Sequence, residues 1–453
     1  MKKLSVPVWM ERGHFWSLLE EKQMRVSRIV AGVALAGLLA APVAVLAAPY
    51  ASGVSVSGTD VTFVLNQDSD NVSIMLEGGG TQDLGAMTAG THTVSVAAAG
   101  NHQIKVTNSD AAGWSQISAQ DTAHSFYTPV GVSVNRNKSS ANYGSVYVSN
   151  ATNGTTGFGR AMTEGLYRLQ ADGAAVNNGT AGVTWGGTQG PFKSAIGTDD
   201  RLYVADLSND LVYDVDPDLA SATALIDATN KTTGQYVAAV QVEGTKAAGN
   251  RKIYLVNSNY TDTARKGLIE YSLGGQSTVT SGDTGTQVFG PSYFAYYAMD
   301  AVKDSQGNWY TGQFRYDPAQ GSALAKFLAA DLPGNTPTWE VPKTSPYNGC
   351  YAIDVYEEKG WVAYGNYYDG FVHIFNMSDG SLVGSFDAGS RMRDIAFDAA
   401  GNIYTVDNLA EWLKVWSPGG DTAMETPFTI VPEPMTLVLL VLGGLGLVSR
   451  RRR

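Results

Sequence analysis

Residues 394–407 read Asp394-Ile395-Ala396-Phe397-Asp398-Ala399-Ala400-Gly401-Asn402-Ile403-Tyr404-Thr405-Val406-Asp407. Two short apolar runs flank a Gly-Asn turn, which is the pattern of a β-hairpin. The second run ends in a phrase that recurs along the chain: Tyr147 to Asn150, Tyr203 to Asp206, Tyr254 to Asn257, Tyr310 to Gln313, Ala363 to Asn366 and Tyr404 to Asp407. The polar residues that close the phrase are spaced by 56, 51, 56, 53 and 41 positions. A period of that size matches one four-stranded unit of a radial repeat.

Each phrase is preceded by an apolar run, as at 298–302, 352–356 and 394–397, often through a Gly-Asn turn at Gly249-Asn250, Gly307-Asn308 or Gly401-Asn402. Each is followed by a third alternating run, such as Leu211 to Val215, Leu268 to Leu273, Phe371 to Phe375 and Leu413 to Trp416. The unit is therefore an antiparallel meander. Residues 394–407 resemble an NHL-type blade, and Phe371 to Val383, with Asp379-Gly380 in its turn, resembles the strands of a YVTN or YncE-like propeller. The resemblance is clearest over residues 350–420. It implies an all-β, six-bladed β-propeller over residues 128–420, or a seven-bladed one if residues 274–290 hold a degenerate blade. Closure into a ring removes the exposed edges that an open sheet would carry.

Residues 50–126 have a different texture. Short Val/Thr/Ser runs at 61–65, 72–76, 91–96 and 102–107 alternate with Gly-rich turns and lack the Tyr phrase, which predicts a separate small β-sandwich. Gly80-Thr81-Gln82-Asp83-Leu84-Gly85 and Ala89-Gly90-Thr91-His92-Thr93 resemble the FlgD-type immunoglobulin-like modules. Residues 421–431, rich in Pro, Asp and Thr, read as a linker.

The two ends carry export signals. From Met24, a short basic stretch with Arg25 and Arg28, an apolar run from Ile29 to Ala41 and small residues up to Ala48 make a secretory signal peptide over residues 24–48, a substrate for signal peptidase. Residues 1–23, with Trp9, Trp16 and Glu20-Glu21-Lys22, do not fit such a signal and read as lying upstream of the true start. At the other end stand Pro432-Glu433-Pro434, an apolar stretch over 435–448, and Arg450, Arg451, Arg452 and Arg453. This order over residues 432–453 resembles the PEP-CTERM sorting signal. The resemblance implies recognition of Pro432, Glu433 and Pro434 by an exosortase, with the arginines retained on the cytoplasmic side of a transmembrane helix. Fourteen apolar residues reach only about 21 Å, against roughly 30 Å of hydrocarbon, which suits transient anchoring before cleavage. The expected destination is the cell envelope or extracellular matrix.

Residues 1–47 carry six basic and three acidic groups and residues 433–453 carry four and one, so the net −11 of the whole chain becomes −17 for the body. That field opposes phosphate backbones and anionic lipid, so nucleic acid is not an expected partner. Cys350 stands alone, can form no internal disulfide, and reads as a small buried hydrophobe.

Three sets of residues invite chemistry. Asn150, Asp206, Asn257, Gln313, Asn366 and Asp407 close the repeated phrase and would form a ligand-binding ring, or else only start turns. Asp300, Asp354 and Asp394 lie nine to ten residues ahead of the Tyr position in three successive blades. Converging carboxylates need a compensating cation or polar ligand, and calcium is the cofactor that reading would require. Asp214, Asp216 and Asp218 lie on one face of an extended chain but lack the glycine and distal glutamate of a calcium loop. Tyr293, Tyr296, Tyr297, Tyr316, Tyr347, Tyr367, Tyr368 and Trp412 fall in or near loops and suit sugar faces. No zinc constellation, Ser-His-Asp set or phosphate-cradling loop is present. The leading expectation is a non-enzymatic scaffold that binds exopolysaccharide or an envelope protein. The alternative is a calcium-dependent hydrolase or lyase of the lactonase-like propeller class.

Overall fold

The hairpin at 394–407 forms as its residues dictate. Met392–Phe397 pairs antiparallel with Ile403–Asp407, and Gly401 supplies the positive φ of the turn, at 86°. Asp398 fastens that turn by accepting from the amides of Ala400 and Asn402 at 2.8 and 2.9 Å. Asp304 holds the equivalent turn in the same way, accepting from the amides of Gln306 and Asn308 at 3.0 and 2.8 Å. The computed structural model describes residues 48–109, 111–226, 236–259, 266–289, 297–314, 322–334, 336–344, 346–347 and 349–431. The expected sorting signal and nearly all of the expected signal peptide lie outside the described residues. No helix among the described residues is long and apolar enough to cross a membrane.

Six four-stranded antiparallel sheets follow one another as blades. Their inner strands are Pro129–Val134, Ser194–Ile196, Val237–Glu243, Ala298–Lys303, Cys350–Tyr356 and Met392–Phe397. Each inner strand packs against the next, and the sixth packs back on the first, which closes the ring around a central channel. Thr286–Phe289 is the fourth strand of the third blade, so no seventh blade lies there. The phrase tyrosines Tyr147, Tyr203, Tyr254, Tyr310 and Tyr404 are buried between blades. The hydroxyls of Tyr147 and Tyr254 still find partners, Pro217 O at 2.9 Å and Glu243 Oε2 at 2.8 Å. Each buried ring stabilises its interface by about 1.5–3 kcal/mol.

Two strands exchange places relative to the sequence reading. Ala112–Gln116, expected in the sandwich, is the outer strand of the sixth blade, with Gln116 opposite Trp416. Ring closure is thus hydrogen-bonded through a strand that precedes the first blade. The stretch 421–431, expected to be a linker, contains strand Thr422–Ile430, which pairs with Gly100–Asn108 over its whole length. It completes a seven-stranded sandwich of a three-stranded and a four-stranded sheet. Phe428 and Ile430 enter its core beside Val61, Phe63, Val72 and Ile104. Pro427 is tolerated because this strand lies at the edge of its sheet.

The sandwich is anchored on the propeller at its first residues. Ala48 N donates to Ser417 Oγ at 3.0 Å, and Asn402 Nδ2 donates to Ala48 O at 3.0 Å. Ala48 and Tyr50 pack with Tyr143, Ala171, Ala399 and Ala400.

Candidate functional site

The inner strand of a blade leaves backbone amides facing its neighbour, and three aspartates satisfy them. Asp300 Oδ2 accepts from Ile353 N at 3.0 Å, Asp354 Oδ2 from Phe397 N at 2.7 Å, and Asp394 Oδ2 from Val132 N at 2.9 Å. Each bond joins one blade to the next, from the fourth through to the first.

The cation that these carboxylates need is Lys193, at the start of the second blade. Its Nζ lies 2.7 Å from Asp300 Oδ2 and 3.1 Å from Asp394 Oδ1, and it also donates to the Tyr351 carbonyl. Its side chain is 3% exposed. Burial pushes its pKa down, but the two carboxylates outweigh burial and hold the ammonium charged. Asp354 does not join this cluster. It faces Arg136, whose Nη2 lies 3.5 Å from Asp354 Oδ1 and whose Nη1 donates to Val355 O at 2.7 Å. The calcium reading of Asp300, Asp354 and Asp394 is corrected accordingly: Lys193 and Arg136 compensate them, and their oxygens serve as inter-blade acceptors. Among the described residues no group of three or more His, Cys, Asp or Glu could hold a metal ion. Asp214 and Asp216 are likewise neutralised, Asp214 by Arg201 and Arg251 and Asp216 by Arg201.

The six phrase residues are also corrected. None forms a ligand ring, because all six are 0 or 1% exposed. Five of them brace the chain entering the inner strand to the turn leaving the second strand. Asn150 accepts from Thr128 N at 2.9 Å and donates to Thr152 O at 2.7 Å. Asp206 accepts from Gly186 N and Asn209 N, both at 2.9 Å. Asn257 accepts from Tyr236 N and Asn259 N, both at 3.0 Å. Asn366 accepts from Tyr368 N at 3.1 Å and donates to Pro346 O at 2.5 Å. Asp407 accepts from Ser390 N at 2.6 Å and Leu409 N at 2.9 Å. Gln313, one methylene longer, departs from the pattern, and among the described residues both ends of its buried amide lack a partner.

The Lys193 cluster separates the two ends of the channel. On the side where inner strands end lies a cavity of about 520 Å³, lined by Asn135, Arg136, Ser194, Gln241 and Asp354 among others. On the side where inner strands begin, an aromatic group gathers between the fourth, fifth and sixth blades. Tyr351 and Tyr367 stack at 5.1 Å and 26°. Phe314 stacks on Tyr368 at 5.4 Å and 18° and meets Tyr351 and Tyr367 edge-on, both at 5.0 Å. Tyr297 meets Phe314 at 6.4 Å. The Arg393 guanidinium lies over both stacked tyrosines, 5.0 and 5.1 Å from their centroids, and donates to the Tyr351 hydroxyl at 2.6 Å. Tyr368 is 51% exposed, so the platform reaches solvent.

Of the tyrosines singled out in the sequence, Tyr297, Tyr367 and Tyr368 therefore meet. Tyr293, Tyr296 and Tyr316 lie outside the described residues. Tyr347 packs instead against His373 within the fifth blade, and Trp412 against Phe158 elsewhere. His373 is buried, and burial pushes its pKa down to about 4. Cys350 is buried as expected, and burial pushes its thiol pKa up. Sequence reasoning missed Phe314, Tyr351, Arg393 and Lys193. The aromatic residues gave no signal beyond their position at strand ends, and Lys193 was marked only by being a lysine between Phe192 and Ser194 at a strand start.

Comparison with solved structures finds several propellers of low identity. A gluconolactonase from Xanthomonas campestris shares 12% identity at a TM-score of 0.44, covering 70% of this chain and 89% of its own. A structural-genomics protein of unknown function from Bacteroides thetaiotaomicron shares 14% at 0.46, covering 82% and 98%. A glucose dehydrogenase shares 12% at 0.45, covering 67% and 98%. No protein-family model matches the sequence. No curated protein matches it either.

Proposed function

We propose that this protein is an exported, exosortase-sorted component of the cell envelope or extracellular matrix, and that its propeller is a glycan-binding module. The binding surface is the aromatic platform of Tyr297, Phe314, Tyr351, Tyr367 and Tyr368 beside Arg393. One observation carries the reading: flat rings are collected at a single channel mouth, with Tyr368 open to solvent and stacked on Phe314. Pyranose rings pack their C–H faces on such surfaces while neighbouring polar groups take the hydroxyls. The end signals support export, since the basic start, the apolar run and Pro432-Glu433-Pro434 with its terminal arginines stand in the required order.

The test is titration calorimetry of the purified body, residues 48–431, against a panel of oligosaccharides, with Tyr368→Ala as the control. Saturable binding that Tyr368→Ala weakens by about tenfold, as loss of a stacking ring would, supports the reading. A panel without any binder overturns it. Sorting is tested separately by mass spectrometry of the protein from hosts with and without an exosortase, where a carboxy terminus near Pro432 is expected only in the first.

A further inference from the structure

We infer that the glycan taken at this mouth carries a carboxylate, and that Arg393 binds it. The inference rests on the glycan-binding reading above and adds the charge of the sugar.

Three cations that line the channel each face a carboxylate. Lys193 sits between Asp300 and Asp394, Arg136 faces Asp354, and Lys303 pairs with Glu243 at 2.7 Å. Arg393 differs. Among the described residues no carboxylate pairs with it, its one hydrogen bond goes to the Tyr351 hydroxyl, and its buried Nε finds no partner. A guanidinium taken partly out of water needs a counter-charge or a set of acceptors, and here the protein supplies neither.

Its position suits a ligand that brings one. Arg393 is the second residue of the strand Met392–Phe397, so its backbone is held in the ladder. Its side chain is held by the faces of Tyr351 and Tyr367. A guanidinium fixed in this way presents a planar fork that matches the two oxygens of a carboxylate, and little freedom is left to lose on binding. A uronate residue combines that carboxylate with a pyranose face for the adjoining rings. The body between the export signals carries −17, which opposes a polyanion at long range. A single carboxylate on an otherwise neutral glycan meets the fork at contact distance, where screening by salt is weakest.

The test compares three matched oligosaccharides by calorimetry on the purified body: a neutral glucose tetrasaccharide, its counterpart ending in glucuronate, and one ending in a sulfated sugar. The glucuronate form is expected to bind about tenfold to a hundredfold more tightly than the neutral one, the range of a charge-assisted bidentate contact. Arg393→Gln is expected to bring the ratio of glucuronate to neutral affinity close to one, the ratio being read within each variant, while Arg393→Lys retains only part of the preference. Circular dichroism melts confirm that both variants fold. Should Arg393→Gln fail to fold, the loss of preference in Arg393→Lys decides the matter. Equal binding of neutral and acidic forms overturns the inference and leaves the glycan reading standing. Sulfate binding as tight as glucuronate overturns the assignment to a carboxylate. Binding of none of the three overturns both readings.

Discussion

The Lys193 ammonium and the Asp300 carboxylate, 2.7 Å apart, join the second blade to the fourth across the channel. The same ammonium reaches Asp394 of the sixth blade and the Tyr351 carbonyl of the fifth. One side chain thus ties four of the six blades, at a depth where neither partner can be left alone.

Removing Lys193 exposes that dependence. Lys193→Met leaves two buried carboxylates uncompensated and is expected to cost about 3–5 kcal/mol. Adding Asp300→Asn and Asp394→Asn to the same chain should return much of the loss, because the repelling charges are then gone. Chemical denaturation of the three forms at neutral pH checks this, and a single variant as stable as the parent sinks the linchpin role.

Calcium is expected to do nothing. Thermal melts with added calcium and with chelator should coincide, since Lys193 and Arg136 already balance the channel aspartates. A melting temperature that rises with calcium and falls with chelator would restore the metal reading.

The contribution of Asp398 to stability should fall as pH rises from about 4 to about 7. Burial pushes the Asp398 carboxyl up to about 7, against hydrogen bonds from Asn402 and Ala400. The folded state then holds a proton that the unfolded chain releases near its ordinary pKa of 3.8. Between those values the folded state binds more protons, so raising the pH favours unfolding, by up to about 4 kcal/mol across the window. Melts of the parent and of Asp398→Asn over that range test this. The stability of the parent relative to the variant should fall across the window, and parallel profiles would count against the assignment.

Truncation should distinguish a strand from a linker. The body, which ends at Val431, keeps Thr422–Ile430 and is the reference. A chain ending at Gly420 exposes the edge of Gly100–Asn108 and empties the places of Phe428 and Ile430 in the sandwich core. Losing those two side chains alone costs about 3–6 kcal/mol. Limited proteolysis should therefore cleave within residues 50–108 only in the shorter chain, and equal resistance would reject the pairing.

The repeat was legible because its marks are local. Period-two alternation, a Gly-Asn turn and a tyrosine three residues before an amide or acid all fall within one hairpin, and five such tyrosines announce the blades. The turn-starting role of Asn150, Asp206, Asn257, Asn366 and Asp407 was legible for the same reason. Their burial was not, because one bond of each brace goes to the chain that enters the blade, 17 to 22 residues away in sequence, as with Thr128 and Asn150.

The sequence by itself determined the strand pattern, the repeat of the blades and the separate texture of the small domain, whereas six blades against seven was decided by the place of Thr286–Phe289 in the third sheet. Hydrophobic periodicity and turn chemistry act between near neighbours, so they are written wherever the strand is written. Tertiary structure alone decided which strand closes each domain. Ala112–Gln116 and Thr422–Ile430 find partners from opposite ends of the chain, and no short-range pattern names those partners. It also decided that Lys193, rather than a metal, balances Asp300 and Asp394, and that Phe314, Tyr351, Tyr367 and Arg393 meet at one mouth. Those relations depend on ring closure, which brings the starts of six strands around one axis and makes neighbours of residues that the chain keeps apart.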